Sequence, residues 1–277
     1  MSASATNYAP RSFNKAFDPM ETGIQEFAID TARKAGALLR DNVGRIGSIE
    51  FKGAVDIVTD VDRKSEALII DAIKKAFPSH GILAEESPEL KQDSPFKWII
   101  DPLDGTTNYS HGFPFFCVSI GFEVSGEVAF GVVYDPMMNE LFTAEKGKGA
   151  SLNGKKTGVS AIGDLGKSLL ATGFPYDLRS SKDNNLDRFS EFSLKAQAIR
   201  RAGSAALDLC YIASGRFDGY WEMKLKPWDT AAGSLVVSES GGAVTDFSGG
   251  PFSIYGKECL ASNGLIHDDM TRILSRR

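Results

Sequence analysis

The chain predicts a mixed α/β fold of layered helices and sheets, and three observations predict it. An amphipathic repeat opens the sequence, several apolar runs end abruptly in carboxylates, and the second half alternates strand-like with helix-like segments. At 277 residues and 42% hydrophobic content, the chain can bury a large core spread over two lobes.

Taken in order, residues 1–20 are polar, with Ser, Ala and Asn and two early basic residues but no apolar stretch behind them. A short disordered tail is expected there, with an organelle transit signal as the second reading. Ile24, Phe27, Ala28, Thr31, Ala32, Ala35, Leu38 and Leu39 recur at i, i+3, i+4 and i+7, which predicts a helix over about 20–42. Residues 62–77 predict a second helix, closed by Pro78. Strands follow at 81–84 and 98–100, the latter ended by Pro102 and Gly105, and another at 118–123. Residues 127–134 and 140–144 form a meander around the turn Asp135-Pro136-Met137-Met138-Asn139.

The stretch 147–166, rich in Gly, Lys and Ser, divides an N-terminal α+β lobe (21–150) from a C-terminal α/β lobe (151–277). Beyond it the pattern predicts a strand at 169–172, helices at about 185–198 and 204–214, and a strand at 217–223. A helix at about 230–240 and a strand near 243–246 complete it.

Composition narrows the function. A net charge of -5 argues against a nucleic-acid footprint, and no apolar run approaches the length of a membrane span, so the cytoplasm is the default location. Cys117, Cys210 and Cys259 sit singly among apolar or small residues, and His80, His111 and His267 are isolated, so disulfides and zinc are disfavoured.

Acids gather instead at element ends. Residues 81–84 run into Glu85 and Glu86, Trp98-Ile99-Ile100 runs into Asp101 and Asp104, and Asp229 stands at or near the N-cap of a helix. Asp-Pro and Asp-Gly also make ordinary turns, and adjacent Glu85 and Glu86 cannot both point the same way, so one would face a cleft. If these acids converge, their repulsion needs a hard divalent cation such as Mg²⁺, since no His or Cys accompanies them. Two such ions would clamp a phosphoryl group and activate a water. Amides of Gly105, Thr106 and Thr107 could meet phosphate oxygens. Asp62 could cap its helix or touch Thr106.

On these residues the chain resembles the inositol monophosphatase family. Asp101-Pro102-Leu103-Asp104-Gly105-Thr106-Thr107-Asn108 and Trp228-Asp229-Thr230-Ala231-Ala232-Gly233 match its two signatures, although Thr230 replaces a frequently larger apolar residue. Glu85-Glu86-Ser87, Asp56-Ile57-Val58-Thr59, Gly203-Ser204-Ala205-Ala206 and Glu222 also fit, and the likeness spans about 21–275.

The resemblance implies a five-layer αβαβα sandwich of the sugar-phosphatase type with mixed sheets, a homodimer, and a Mg²⁺-dependent, lithium-sensitive phosphomonoesterase. It implies two or three Mg²⁺ per site. Glu85, Asp101 and the Leu103 carbonyl would hold one, Asp101, Asp104 and Asp229 a second, and Glu85 a weaker third. Thr106 and Asp62 would orient the attacking water, with Glu85 also in the catalytic set. Gly105 and Thr106 would bind phosphate, and Ala205, Glu222, Asp229 and Arg200 would contact the substrate. The implied reaction is hydrolysis of a small polyol phosphate, most simply inositol 1-phosphate, by direct attack of an activated water. Fructose-1,6-bisphosphate, histidinol phosphate and a 3′-phosphoadenosine nucleotide are the alternatives.

Other chemistries fit less well. An aspartyl-nucleophile phosphatase needs two aspartates one residue apart, whereas two residues separate Asp101 from Asp104. Residues 149–156 nearly form a P-loop, but Lys156 stands where Ser or Thr should hold Mg²⁺. A metal-binding scaffold or interaction protein is the non-enzymatic alternative, although the calcium-loop pattern is absent at 101–112.

Overall fold

The computed structural model describes residues 21–275, so the expectation for the tail lies outside the described residues. Helices α1 (Glu21–Asn42) and α2 (Asp60–Ala76) cover one face of a seven-stranded sheet. That sheet runs β3 (Gly81–Ala84), β4 (Phe96–Asp104), β5 (Cys117–Val124), β6 (Glu127–Asp135), β7 (Glu140–Glu145), β8 (Gly149–Leu152) and β9 (Lys155–Lys156) in spatial order. Only the β3–β4 pair is parallel, and the short hairpin β1 (Ile49–Phe51) and β2 (Ile57–Thr59) stands apart.

On the other face lie α5 (Ala205–Ala213) and α6 (Pro227–Glu239), backed by a five-stranded sheet. Its order is β11 (Ala198–Arg200), β10 (Leu169–Thr172), β12 (Gly219–Met223), β14 (Glu258–Ser262) and β13 (Ala243–Thr245), again of mixed direction. Helices α4 (Leu186–Ser193) and α7 (His267–Leu274) close the outer face, and a short α3 (Thr106–Ser110) follows β4. The five layers are therefore helix, sheet, helix, sheet, helix, as expected.

Close packing of small residues sets the middle layer. Thr230 through Val237 of α6 are all buried, because the helix lies between two sheets rather than on a surface. A Cβ on Gly131 of β6 would come within 2.8 Å of the Ala232 main chain, so only glycine lets this helix settle onto the sheet. That approach carries the first turn of α6, with Asp229, towards the ends of β3 and β4.

The first core layer is anchored by Trp98, which is fully buried against Phe27, Phe77 and Phe122 and donates its indole N–H to His80 Nδ1 at 3.1 Å. Trp98→Ala is expected to cost about 3–5 kcal/mol of unfolding free energy. Urea denaturation checks this, and a loss below about 1 kcal/mol would show that the ring is not an anchor.

The structure revises several local expectations. Pro102 does not end its strand: β4 continues to Asp104, and its register against β5 shifts between Asp101 and Asp104. A proline lacks the ladder N–H and is tolerated where pairing is already broken. The helix expected over 185–198 stops at Ser193 and gives way to β11. The stretch 147–166 contains β8 and β9, which extend the first sheet.

Candidate active site

The elements deliver their polar side chains to one cleft of about 480 Å³. Its walls include Glu85 from beyond β3, Asp101, Leu103 and Asp104 from β4, Gly105 and Thr106 from the turn after it, Ala205 from α5, Glu222 from β12 and Asp229 from α6. Asp62 lies just behind the wall and touches Thr106. Arg200 is exposed on β11 and outside the cleft, whereas Arg201 lines it.

The bulge in β4 explains the density of acids. A regular strand would send Asp101 and Asp104, three residues apart, to opposite faces, yet both are buried, at 1% and 9% exposure, and both line the cleft. Slipping the register at Pro102 and Leu103 lets both acids border the same space. Asp101 Oδ1 accepts the Leu103 N–H at 3.0 Å, which holds the bulge closed. Gly105 then turns the chain at φ 102°, and a Cβ there would meet Phe115 O at 2.9 Å. Glycine is required twice over.

Each acid is braced on one side. Asp104 Oδ2 accepts from Ser204 Oγ and from the Ala206 N–H, both at 2.7 Å, which ties β4 to the start of α5. Asp229 lies near the N-cap of α6, as expected: Lys226 is the cap and Asp229 the third helical residue. Pro227 takes the first position, where a missing N–H costs nothing, and Asp229 Oδ2 reaches back to the Lys226 N–H at 2.6 Å. Asp62 plays the same part in α2: Thr59 is the N-cap, and the Asp62 carboxylate accepts the Thr59 N–H at 2.9 Å. Its other oxygen accepts from Thr106 Oγ1 at 2.9 Å, and Thr106 also lies 3.1 Å from the Leu103 carbonyl.

Glu85 faces the cleft and Glu86 does not, as expected of adjacent acids, yet the two share a partner. Lys52 Nζ reaches Glu85 at 2.9 Å and Glu86 at 2.8 Å, although only Glu85 lines the cleft. The sequence reading missed Lys52, whose one signal was a lone cation four residues before Asp56. It also missed Asp208, the single acid in the otherwise uncharged α5.

Burial and mutual repulsion push these acids towards their neutral forms. Asp101 is raised well above the usual carboxylate range by burial first, then by Glu85, Asp104 and Asp229. Asp229 is raised by burial and by Glu85. Burial raises Asp104 too, against the pull of Ser204 and Ala206. Burial carries Glu85 up to about 7, opposed by Lys52, and Glu222 up to about 7, opposed by the Tyr220 hydroxyl that donates to it.

One consequence is testable in a chelator. Between 4.5, the ordinary glutamate value, and about 7, the folded protein keeps protons on Glu85 and Glu222 that an unfolded chain has released. Stability therefore falls as pH rises through that window. Thermal melts in EDTA should show Tm declining there, and added Mg²⁺ should offset the decline. A Tm that climbs with pH across the window would contradict this electrostatic picture.

The donor set fits a hard cation. For Glu85, Asp101 and Asp229, one oxygen is held by the protein and the other has no hydrogen-bond partner among the described residues. Among those residues no three acidic, His or Cys side chains already close around one point. Oxygen donors unaccompanied by His or Cys suit a hard cation such as Mg²⁺, and an ion held by Asp101, Asp104 and Asp229 together would have to draw these side chains closer. The cysteines are buried free thiols, and His80 and His267 are occupied within the core.

The sequence profile of the inositol monophosphatase family matches residues 20–276. The chain belongs to the inositol monophosphatase family. An inositol-1-monophosphatase from Synechocystis is 46% identical over 252 residues, covering 90% of this chain and 88% of that protein. The protein named Nus factor SuhB in Escherichia coli K12 is 48% identical over 226 residues, covering 80% of this chain and 85% of its own length. The inositol monophosphatase structure from Anabaena superposes with a TM-score of 0.84 at 44% identity, covering 92% of this chain and 96% of that one. SuhB from Bartonella henselae gives 0.86 at 41% identity, covering 92% and 99%. As a member of this family the protein is a phosphoric monoester hydrolase, and metal dependence is general in the family. Among the described residues no helix is long and apolar enough to cross a membrane.

Proposed function

We propose that the protein hydrolyses a small polyol phosphate monoester with Mg²⁺, inositol 1-phosphate being the simplest substrate. The observation that carries this reading is that carboxylates from β4, α6 and the end of β3 border one cleft beside a Thr106–Asp62 hydrogen bond. Glu85, Asp101 and the Leu103 carbonyl would hold one Mg²⁺, and Asp101, Asp104 and Asp229 another, with Glu85 available to a third. Bound cations supply charge compensation for the phosphoryl group and lower the pKa of water.

The chain's own residues do the positioning. Gly105 and Thr106 offer main-chain N–H groups to phosphate oxygens. Asp62 fixes the Thr106 hydroxyl, which orients the attacking water. Ala205, Glu222 and Asp229 border the space left for the alcohol. Gly173 makes room for Glu222, since a Cβ there would collide with its carboxylate. Direct attack by water needs no phosphoenzyme, and positioning with charge compensation provides the rate. Lys224 and Lys226 both line the cleft and are the candidates for a second phosphate; Lys224 is already paired with Asp177 at 2.7 Å, whereas Lys226 has no ion pair among the described residues. Family membership also supports a homodimer, which sedimentation would separate from a single chain.

The test is phosphate release with Mg²⁺ and with EDTA from inositol 1-phosphate, fructose-1,6-bisphosphate, histidinol phosphate and a 3′-phosphoadenosine nucleotide. The highest kcat/KM is expected for inositol 1-phosphate, and none of these reactions should proceed in EDTA. A higher value on another substrate would reassign the specificity. Cation binding without turnover of any of the four would favour a scaffold.

A further inference from the structure

Asp208 is a buried acid that the structure leaves without a partner. It lies in the first turn of α5, is 2% exposed, and borders the cleft. Neither carboxylate oxygen has a hydrogen-bond partner among the described residues, and Oδ1 is sealed from solvent. Asp218, nearly as buried, shows what a structural acid looks like here: it accepts from Ser160 Oγ at 2.5 Å and from the Leu169 N–H at 2.7 Å. An unpaired carboxylate in such a place is destabilising unless something supplies donors.

Its surroundings indicate what would. Burial raises Asp208 well above the carboxylate range, Glu222 and then Asp104 raise it further, and Arg201 counters them through space without a hydrogen bond. Glu222 lines the same cleft, with Oε2 accepting the Tyr220 hydroxyl at 2.5 Å. Two neighbouring carboxyl groups that still have acceptor capacity match an uncharged ligand carrying two hydroxyl donors.

We propose that Asp208 is a specificity-determining residue that, together with Glu222, accepts hydrogen bonds from a diol on the alcohol portion of the substrate. This rests on the hydrolase reading above. A site built around buried acceptors rejects analogues lacking the donors, because the acceptors are then left unpaired. Asp208 therefore selects polyol phosphates over other phosphomonoesters.

The test compares Asp208→Asn and Asp208→Ala with the natural protein on inositol 1-phosphate and on 4-nitrophenyl phosphate, whose alcohol has no hydroxyl donors. In Asp208→Ala, kcat/KM for inositol 1-phosphate should fall about tenfold or more, chiefly through KM. That loss should exceed the loss on 4-nitrophenyl phosphate at least about fivefold, with a smaller gap for Asp208→Asn, which keeps one acceptor. Tm should hold or rise in Asp208→Ala and hold in Asp208→Asn, since an unpartnered buried carboxyl group has been removed in each and the amide replaces it only in the second. Equal losses on the two substrates, no loss on either, or failure of both variants to fold would overturn the proposal. A larger loss on histidinol phosphate would overturn it as well, pointing to a cationic alcohol. If the natural protein hydrolyses 4-nitrophenyl phosphate and no polyol phosphate, the substrate reading fails on its own. Indiscriminate variants of a normally active protein would sink only the role given to Asp208.

Discussion

Replacing Asp104 by Asn is expected to lower kcat/KM by about a thousandfold or more while leaving the protein folded. The amide oxygen can take over the hydrogen bonds from Ser204 Oγ and the Ala206 N–H that Asp104 Oδ2 now accepts, so the link from β4 to α5 survives. The amide NH₂ is then turned into the cleft, where it offers donors to a cation instead of an acceptor. Burial already presses Asp104 towards its neutral form, so the variant should melt no lower than the natural protein. Steady-state kinetics at saturating Mg²⁺ and a thermal melt check the two halves. Near-normal turnover would remove Asp104 from the catalytic centre.

Thr106→Val is expected to lower kcat by about a hundredfold to ten-thousandfold with little change in KM. The Thr106 hydroxyl stands between Asp62 and the Leu103 carbonyl, at 2.9 and 3.1 Å, and lines the cleft. Valine matches its shape, so substrate binding should persist while the polar contact proposed to orient water is lost. Thr106 is a better probe than Asp62, which also closes the capping box at the start of α2. Asp62→Asn would mix a catalytic loss with roughly 1 kcal/mol or more of stability. If KM rises in Thr106→Val and kcat does not fall, Thr106 serves binding instead.

Long periodic segments were legible in the sequence: α1, α2 and the β5–β7 meander follow from apolar spacing alone, and β3 from a short apolar run that ends in Glu85 and Glu86. So did the gathering of acids at element ends. The details that fix chemistry were not legible, for local physical reasons. Pro102 gives a stop signal, but here it occupies a bulge inside β4. Asp229 has the composition of an N-cap, but Pro227 at the first helical position moves it to the third. Arg200 and Arg201 are adjacent, and successive side chains near a strand end point oppositely, so a one-residue ambiguity decides which lines the cleft. Short strands such as β8, β9 and β14 carry too few residues to show a period, and their pairing is settled by neighbours distant in sequence. Lys52 meets Glu85 across thirty-three residues, and no local pattern announces such a pair.

Carboxylates from separate elements are proposed to hold divalent cations together at one cleft. Crystals grown with Mn²⁺ in place of Mg²⁺ test this through anomalous scattering. Ions ligated by Asp101, Asp104 and Asp229, and by Asp101 with Glu85 and the Leu103 carbonyl, are the predicted result. Mn²⁺ bound only elsewhere on the molecule, with these side chains left uncoordinated at saturating ion, would contradict the account.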